Sequence, residues 1–439
     1  MKNYKYLAAA AVVGLTVMGI YTILSNSVSD YSNYQEALLK ARESVEKDVM
    51  EEAIEEYQKA LEIHDTLDLN LEIGEAYLNH GWSAEATAWG EHVIEEYDEE
   101  PTAYAFLAKC YYTTEDYDKC FALRDTAKKR GLLNDDFKNL MTEIEYTYTL
   151  SFDSFEEVSV YGGNLCAVAN NGKWGYVSNK GNRKISSKFA QAFPFNSAGN
   201  AAVQSKEGEW YYISETGNKA IPVQNMTKCL SLGIIIDNVL AACDNGNYGY
   251  YDTDFNKLSP SDVKWDYASA VNQGVGAVLE KGKWTIVNSS GEPLCTESFD
   301  QVICDEKEIA YRNERLFVKK GDSYIMIDSN GQQIGNDTYD NARTFLQSDS
   351  YAAVKVGKKW GFVDKDGNMV IPAQFDDARS FNNGYAAVKM GKEWGYILPD
   401  GSWAISAQFV LANDFNSSEC AFVNIGSEWR QIQLLRSNY

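Results

Sequence analysis

Histidine is nearly absent from this chain of 439 residues, which contains only His64, His80 and His92. Because none follows residue 92, the rest of the chain excludes Ser–His and Cys–His nucleophilic catalysis. The three histidines are not spaced to bind a metal on one helix face, and no GxGxxG, P-loop, HExxH or GxSxG motif occurs. We therefore predict no catalytic residue, no cofactor and no metal site.

Cysteine pairs with metal-binding spacing are also missing. The eight cysteines are scattered and none forms a CxxC pair, so the sequence supports no zinc site. Cys120 and Cys166 stand where other repeats have small residues, which predicts small buried side chains. A bridge between Cys110 and Cys120 is an open alternative, because both lie in one predicted helical hairpin.

Basic residues are in deficit, since 40 Lys and Arg face 63 Asp and Glu and the formal net charge is −23. Residues 31–150 hold 28 acids and 11 bases, a net charge of −17. Phosphate recognition needs clustered Lys and Arg, so we predict no nucleic-acid partner. The acids are expected to solvate outer helix faces, and a cationic partner for this segment is the alternative.

An uncharged, apolar run from residue 6 to residue 24 follows Lys2 and Lys5 and is long enough to cross a bilayer. We predict a membrane helix within residues 1–30, with the positive charges in the cytoplasm and the rest of the chain outside. A cleaved signal peptide is the alternative, because small residues such as Ser27 follow the run. In that case the protein would be secreted.

Residues 31–150 have a helical pattern, with apolar side chains at steps of three and four residues. Small residues recur at Ala53, Ala86 and Cys120, and this pattern resembles the tetratricopeptide repeat, in which small residues let two antiparallel helices approach closely. The units would cover residues 34–66, 67–100 and 101–131, with a cap helix near 134–148. The resemblance implies a peptide-binding groove or, alternatively, a compact helical spacer.

Residues 151–439 repeat one pattern at intervals of 34 to 40 residues, each unit marked by an aromatic residue. The eight markers are Trp174, Trp210, Tyr248, Trp284, Tyr324, Trp360, Trp394 and Trp429. Apolar runs around them flank turns such as Asn171-Gly172, which is the pattern of a β-hairpin. Gly367 ends a second turn, where a positive φ favours Gly. We predict a β meander whose aromatic side chains stack between units.

Two segments of this region carry a family resemblance, residues 359–364 (KWGFVD) and 392–397 (KEWGYI). They resemble the WG-repeat family of bacterial proteins, which implies an interaction role and no established catalysis. The third to fifth units depart from the pattern. Thr285 and Ile325 replace the second Gly of the motif, and Phe255 replaces the turn Gly.

The β region also begins within a unit, because Phe155 and Tyr161 have the spacing of Phe375 and Phe381. It ends soon after the Trp429 hairpin, so the first unit lacks its front half and the last unit lacks its back half. Pairing of these halves would close a ring of about eight propeller blades and seal the edges. An open β solenoid is the alternative, because the repeat is short for a four-stranded blade.

Together these patterns predict a multidomain α plus all-β protein with a membrane helix at residues 1–30, tetratricopeptide-like helices at 31–150 and a WG-repeat β domain at 151–439. We expect a non-enzymatic scaffold, tethered to the membrane outside the cytoplasm, that binds a protein or a cell-wall glycan at the bacterial envelope. A glycan-active enzyme on a propeller and a purely structural spacer are the alternatives.

Overall fold

The computed structural model describes residues 29–347 and 350–438. The chain divides into two compact units, one ending at Thr147 and the other covering Tyr148–Ser437. The apolar run at residues 6–24, for which we predicted a membrane helix, lies outside the described residues. None of the helices within the described ranges has the length and apolar character needed to cross a membrane.

The first unit contains seven helices in its described part, as the helical pattern predicts. They are residues 29–46 (α1), Met50–Ile63 (α2), Leu67–Asn79 (α3), Ser83–Glu96 (α4), Pro101–Thr113 (α5), Tyr117–Arg130 (α6) and Asp135–Ile144 (α7). Each of the three predicted units thus contains one pair of helices, and α7 follows them. The α3 helix begins where the Thr66 side chain accepts a hydrogen bond from the Leu69 amide.

Small residues lie where these helices meet. Ala53, Ala86 and Cys120 are fully buried, and a Cβ added to Gly74 would lie 2.2 Å from the ring of Phe106. The helices therefore approach closely because these positions carry little or no side chain.

All eight cysteines have free thiols, so a Cys110–Cys120 bridge is not formed. The Cys110 thiol donates to the Ala86 carbonyl and the Cys120 thiol to the Ala108 carbonyl, both at 3.5 Å. Burial raises the pKa of each thiol to about 12. Both residues are small buried side chains, as predicted for Cys120.

The second unit consists of eight small antiparallel sheets, which are the blades of a β-propeller. Blades 1 and 2 contain β2 (Glu157–Gly162), β3 (Leu165–Asn170), β4 (Lys173–Ser178), β5 (Arg183–Phe189), β6 (Gln191–Ala192), β7 (Asn200–Gln204), β8 (Trp210–Ser214) and β9 (Lys219–Pro222). Blades 3 to 5 contain β10 (Cys229–Leu232), β11 (Val239–Asp244), β12 (Asn247–Asp252), β13 (Tyr267–Ala268), β14 (Val275–Glu280), β15 (Lys283–Asn288), β16 (Gln301–Val302), β17 (Leu316–Lys320) and β18 (Ser323–Ile327). Blades 6 and 7 contain β19 (Asn341–Ala342), β20 (Ala352–Val356), β21 (Lys359–Val363), β22 (Met369–Phe375), β23 (Asp377–Ala378), β24 (Ala386–Met390), β25 (Glu393–Ile397) and β26 (Trp403–Phe409).

Blade 8 closes the ring with strands from both ends of the unit. It combines β27 (Leu411–Ala412), β28 (Cys420–Ile425) and β29 (Glu428–Leu434) with β1 (Tyr148–Phe155), and a 3₁₀ helix, Leu435–Asn438, follows. The β1 strand pairs antiparallel with β29, and Phe155 faces Trp429. The predicted eight-bladed ring is confirmed and the alternative of an open solenoid is wrong, because this pairing covers the edges that a solenoid would leave exposed.

The eight marker residues begin, or nearly begin, the third strand of each blade. Four of them are buried and the other four are half-buried. In six blades the marker pairs with an aromatic residue on the following outer segment, for example Trp360 with Phe375 and Trp394 with Phe409. The same pairing joins Trp429 to Phe155, the start of the chain's β region.

Buried tyrosines tie each of several blades to the next. Tyr176, Tyr212 and Tyr396 lie two residues after their markers and have almost no exposed surface. Their hydroxyls donate to carbonyls directly after the first strand of the following blade, for example from Tyr396 to Asn413 at 2.8 Å. These hydrogen bonds satisfy the buried hydroxyls and fix the spacing between sheets.

The Gly that follows the marker allows the outer strand to lie close to the third strand of the blade. A Cβ added to Gly175, Gly361 or Gly395 would lie 2.5–2.6 Å from a carbonyl oxygen of the outer strand. In blades 4 and 5 the residue is Thr285 or Ile325, and the outer strand is reduced to isolated bridges. Blade 3 is also three-stranded although it keeps Gly249, and blade 2 has a fourth strand with Tyr211 at this position, so this Gly alone does not decide whether the outer strand forms.

The turns follow the predicted chemistry. Asn171 and Gly172 have φ values of +53° and +65°, as a tight hairpin turn with two positive φ angles requires. At Gly367, φ is +87°, and the Asp364 carboxylate accepts from the amides of Asp366 and Asn368 at 2.9 Å. Asp364 thus stabilises a turn with its own side chain.

Candidate binding site in the propeller channel

The first strand of each blade faces the centre of the ring. Side chains from the inner segments of three blades meet there: Glu306 of blade 5, Arg379 of blade 7 and Asp414 of blade 8. Glu306 and Arg379 are 73 residues apart in sequence. Such contacts between non-neighbouring blades are available only across the central channel.

Blade 5 sends an additional loop into this channel. Its first two strands pair Val302 with Val318, residues 16 positions apart, whereas Ala378 and Val388 in blade 7 are 10 apart. The six additional positions bring charged residues 305–308 to the centre. The Asp305 carboxylate shapes the loop, because one oxygen accepts from the amides of residues 307 and 309 at 2.8 and 2.9 Å.

Arg379 joins the inserted loop to blade 8. Its guanidinium contacts both carboxylate oxygens of Asp414 at 2.6 and 2.7 Å and Glu306 at 2.6 Å. Arg379 and Asp414 are largely buried, with side chains 14% and 8% exposed. Burial opposes ionisation of Glu306, but the Arg379 charge and hydrogen bond lower the pKa of this carboxyl. The Glu306 and Asp414 carboxylates thus share the single guanidinium of Arg379.

A second ion pair lies within the loop itself. The Arg312 guanidinium contacts the second carboxylate oxygen of Asp305 at 2.7 Å, and the Asp305 side chain is only 4% exposed. Both carboxylate oxygens of Asp305 therefore accept hydrogen bonds, one from amides of the loop and the other from Arg312. This arrangement holds the insertion in one conformation.

Lys307 and Glu308 differ from these paired groups. Among the described residues none forms an ion pair with Lys307, and burial together with the Arg312 charge lowers the pKa of its ammonium. Burial raises the pKa of Glu308, although a hydrogen bond with Tyr267 opposes the shift. Both shifts mark charges that the folded protein compensates incompletely.

Several cavities adjoin the loop, and residues 303–312 line two of them most extensively. The first, of about 230 Å³, is lined among others by Lys307, Arg312, Asn382 and Asn416. The second, of about 220 Å³, lies against Arg379 and neighbouring residues of blades 5 to 7. Each volume corresponds to several water molecules or a small side chain. Charged and amide groups dominate the first cavity, which suits a polar ligand.

Asn416 carries an unused donor at the first cavity. Equivalent asparagines donate their side-chain amide to a carbonyl of the next blade, for example Asn196 to Ile235 at 3.0 Å and Asn382 to Phe415 at 2.9 Å. The Asn416 side-chain NH₂ is buried and has no hydrogen-bond partner among the described residues. The inter-blade link is thus missing beside this cavity.

These residues were missed by sequence reasoning, which proposed structural markers and no site residue. The one available signal was the spacing between Trp284 and Tyr324, which at 40 residues is the longest of the series. It reflects the insertion in blade 5. Within the described ranges, no group of three His, Cys, Asp or Glu side chains is placed to hold a metal ion.

Comparison with known proteins agrees with the repeat pattern. The family profile described as WG containing repeat matches residues 174–210, 326–360, 360–394 and 394–429. A search of curated proteins found no similar sequence. Kluyveromyces lactis Hsv2 with its complete loop 6CD is 9% identical over 65% of this chain and 98% of its own, with a TM-score of 0.37. The WD40 domain of SCAP from fission yeast is 8% identical over 66% of this chain and 99% of its own, with a TM-score of 0.40.

The matched segments contain the Trp-Gly pairs whose glycines let the outer strands approach, at Gly175, Gly361 and Gly395. Profile and geometry thus identify the same positions. The C-terminal β region of this chain therefore contains WG repeats of this family.

Proposed function

We propose that the protein is a non-enzymatic binding scaffold whose WG-repeat propeller recognises a protein partner at the channel cavity beside the blade 5 loop. The observation that carries this proposal is the loop itself. It breaks the repeat at one place, and it brings Lys307 and Arg312 to a cavity whose lining from other blades includes both amides and the Asp414 carboxylate. A repeat protein can acquire specificity for a partner at residues that depart from the repeat and are not needed to stack one blade on the next.

Binding is favoured over catalysis because the central carboxylates are engaged. Asp305 is held by Arg312, and both Glu306 and Asp414 are held by Arg379. General acid–base chemistry needs a carboxyl that can exchange its proton near neutral pH. Glu308, whose pKa is raised, is the one observation that favours the alternative of glycan hydrolysis.

We further propose that residues 1–30 tether the protein to the bacterial membrane, with both units outside the cytoplasm. The tetratricopeptide-like helices would then hold the propeller away from the bilayer or bind a peptide of their own. A cell-wall glycan is the alternative ligand of the propeller. Reporter fusions placed before and after residues 6–24 test the orientation.

The binding proposal is tested with the full chain as bait in envelope extracts and on glycan arrays. Partners captured by the wild type should be lost with the double variant Lys307→Met, Arg312→Met. They should be retained with the control Lys206→Met, an exposed position in a turn of blade 2. Turnover of a cell-wall polysaccharide that disappears in Glu308→Gln would contradict the proposal and establish the enzymatic alternative.

A further inference from the structure

One position of the repeat carries an exposed apolar side chain in three consecutive blades and a polar side chain in most of the others. It lies four residues before the marker, at the hairpin turn between the second and third strands. In blades 6, 7 and 8 it is Val356, Met390 and Ile425, with 44%, 41% and 45% of the residue exposed. The same position in blades 1, 3, 4 and 5 is polar: Asn170, Asp244, Glu280 and Lys320. Exposed apolar side chains at this turn are therefore not required by the fold.

Blade 8 adds two more exposed apolar residues beside this turn, Val410 and Leu411, at 48% and 43%. In blade 7 the position of Val410 is held by Asp376, whose carboxylate accepts from the Gly391 amide of the hairpin turn at 2.7 Å. A valine cannot accept this hydrogen bond. Blade 8 thus replaces a stabilising polar contact by exposed apolar surface.

We call the five side chains Val356, Met390, Ile425, Val410 and Leu411 the blade 6–8 rim. The cavity of the channel is bordered by turns between the first and second strands. Consecutive hairpin turns of an antiparallel sheet lie at opposite ends of its strands. The blade 6–8 rim is therefore on the other face of the propeller, and it is independent of the function proposed for the cavity.

Two exposed lysines flank the rim. Lys358 and Lys392 lie exposed at the tips of the two turns in blades 6 and 7. Neither forms an ion pair with a residue in the described part of the chain. In a protein of net charge −23 such a local excess of ammonium groups favours an acidic partner surface and disfavours a second rim.

The helical unit offers the matching chemistry. Residues 31–150 carry a net charge of −17. Their first helix, α1, exposes Tyr31 and Leu39 at 67% and 60%, and the exposed carboxylates of Glu51 and Glu52 follow at the start of α2. An acidic unit that also exposes apolar side chains complements an apolar rim flanked by lysines.

We propose that two copies of this chain associate through the blade 6–8 rim of one copy and the acidic helical unit of the other. Each copy has one rim and one helical unit, so two copies can make both contacts reciprocally in a closed two-fold dimer. Apolar contacts would supply most of the affinity, and the charges would select the partner surface.

Sedimentation of the full chain between about 1 and 100 µM tests the proposal, because weak dimers of this kind dissociate in the micromolar range. The wild type should dimerise, less strongly at high salt. The triple variant Val356→Asn, Met390→Asp, Ile425→Glu should weaken dimerisation at least 10-fold. It introduces residues that other blades already have at this position, so the propeller should fold. Glu280→Gln, at the same position in blade 4, is the matched control and should leave dimerisation unchanged.

Charge reversal identifies the partner surface. Lys358→Glu with Lys392→Glu should abolish dimerisation, and mixing this variant with Glu51→Lys, Glu52→Lys should restore association between the two. A monomeric wild type, or a dimer that the triple variant leaves intact, would overturn the proposal. Rim-dependent binding to phosphatidylglycerol vesicles without self-association would also overturn it and assign the rim to a membrane.

Discussion

The Gly that follows the marker in blade 7 offers a direct test of how the WG pair works. Gly395 has an ordinary negative φ, so an alanine there strains no backbone angle. Its Cβ, however, would lie 2.5 Å from the Ile405 carbonyl oxygen and 2.7 Å from the Ala407 amide nitrogen. Both neighbours are backbone atoms of β26 and cannot rotate away. The outer strand must therefore move outward.

The expected cost follows from two opposing terms. Forcing one additional carbon into a packed site costs about 1–3 kcal/mol. The Gly→Ala change returns about 0.4–1 kcal/mol by reducing the entropy of the unfolded chain. We therefore expect Gly395→Ala to lower the free energy of unfolding by about 1–2 kcal/mol.

Urea unfolding followed by tryptophan fluorescence measures this change, since eight of the ten tryptophans lie in the propeller. Thr285→Ala is the matched control, because its blade has only isolated bridges at the outer edge. That variant should change stability by no more than about 0.5 kcal/mol. A Gly395→Ala protein as stable as the wild type would show that the close approach of β26 is not what requires glycine.

Three further substitutions test the ring and the channel. Arg379→Met leaves the buried Asp414 carboxylate without its cation, so the free energy of unfolding should fall by about 3–5 kcal/mol, and Asp414→Asn in the same protein should recover part of the loss. Lys307→Met should raise stability at neutral pH. The lowered pKa of Lys307 means that the folded state disfavours its ammonium form. This penalty disappears as the pH rises to about 10.4, where the lysine is also deprotonated in the unfolded chain. The difference in urea midpoint between Lys307→Met and the wild type should therefore disappear at that pH. Phe155→Ala should destabilise the propeller as much as Phe375→Ala, about 3–5 kcal/mol, because both rings occupy the same place in a closed ring. Equal stability of Phe155→Ala and the wild type would indicate an open ring.

Local sequence patterns predicted the elements that depend on neighbouring residues. Asn171-Gly172 needs no distant contact to form its turn, and the helix pairs follow from small residues at regular spacing. Ring closure was also predictable, because the spacing of Phe155 reproduces that of Phe375. The Cys110–Cys120 alternative could not be decided from sequence, since a shared hairpin brings two thiols near each other without fixing their direction.

The channel site could not be predicted in the same way. Glu306 and Arg379 are 73 residues apart, and Arg379 and Asp414 are 35 apart. Their meeting depends on the number of blades and the curvature of the ring, which repeat spacing fixes only approximately. The long interval before Tyr324 located the insertion without revealing that its charges point inward. Long-range geometry was therefore the missing information, not residue chemistry.

The places where the repeat is broken share one energetic property, and this property argues that they serve binding. Lys307 holds a charge that the channel compensates incompletely. In the part of the chain that the structure describes, the buried side-chain NH₂ of Asn416 has no acceptor. Val410 replaces a carboxylate that caps a turn in another blade. Each change costs stability relative to what the other blades have at that position. A ring of eight similar blades tolerates such losses because the remaining junctions are intact. Features that weaken the isolated protein persist where a partner restores the missing contact, so the cavity and the blade 6–8 rim are expected to be more stable when occupied than when empty.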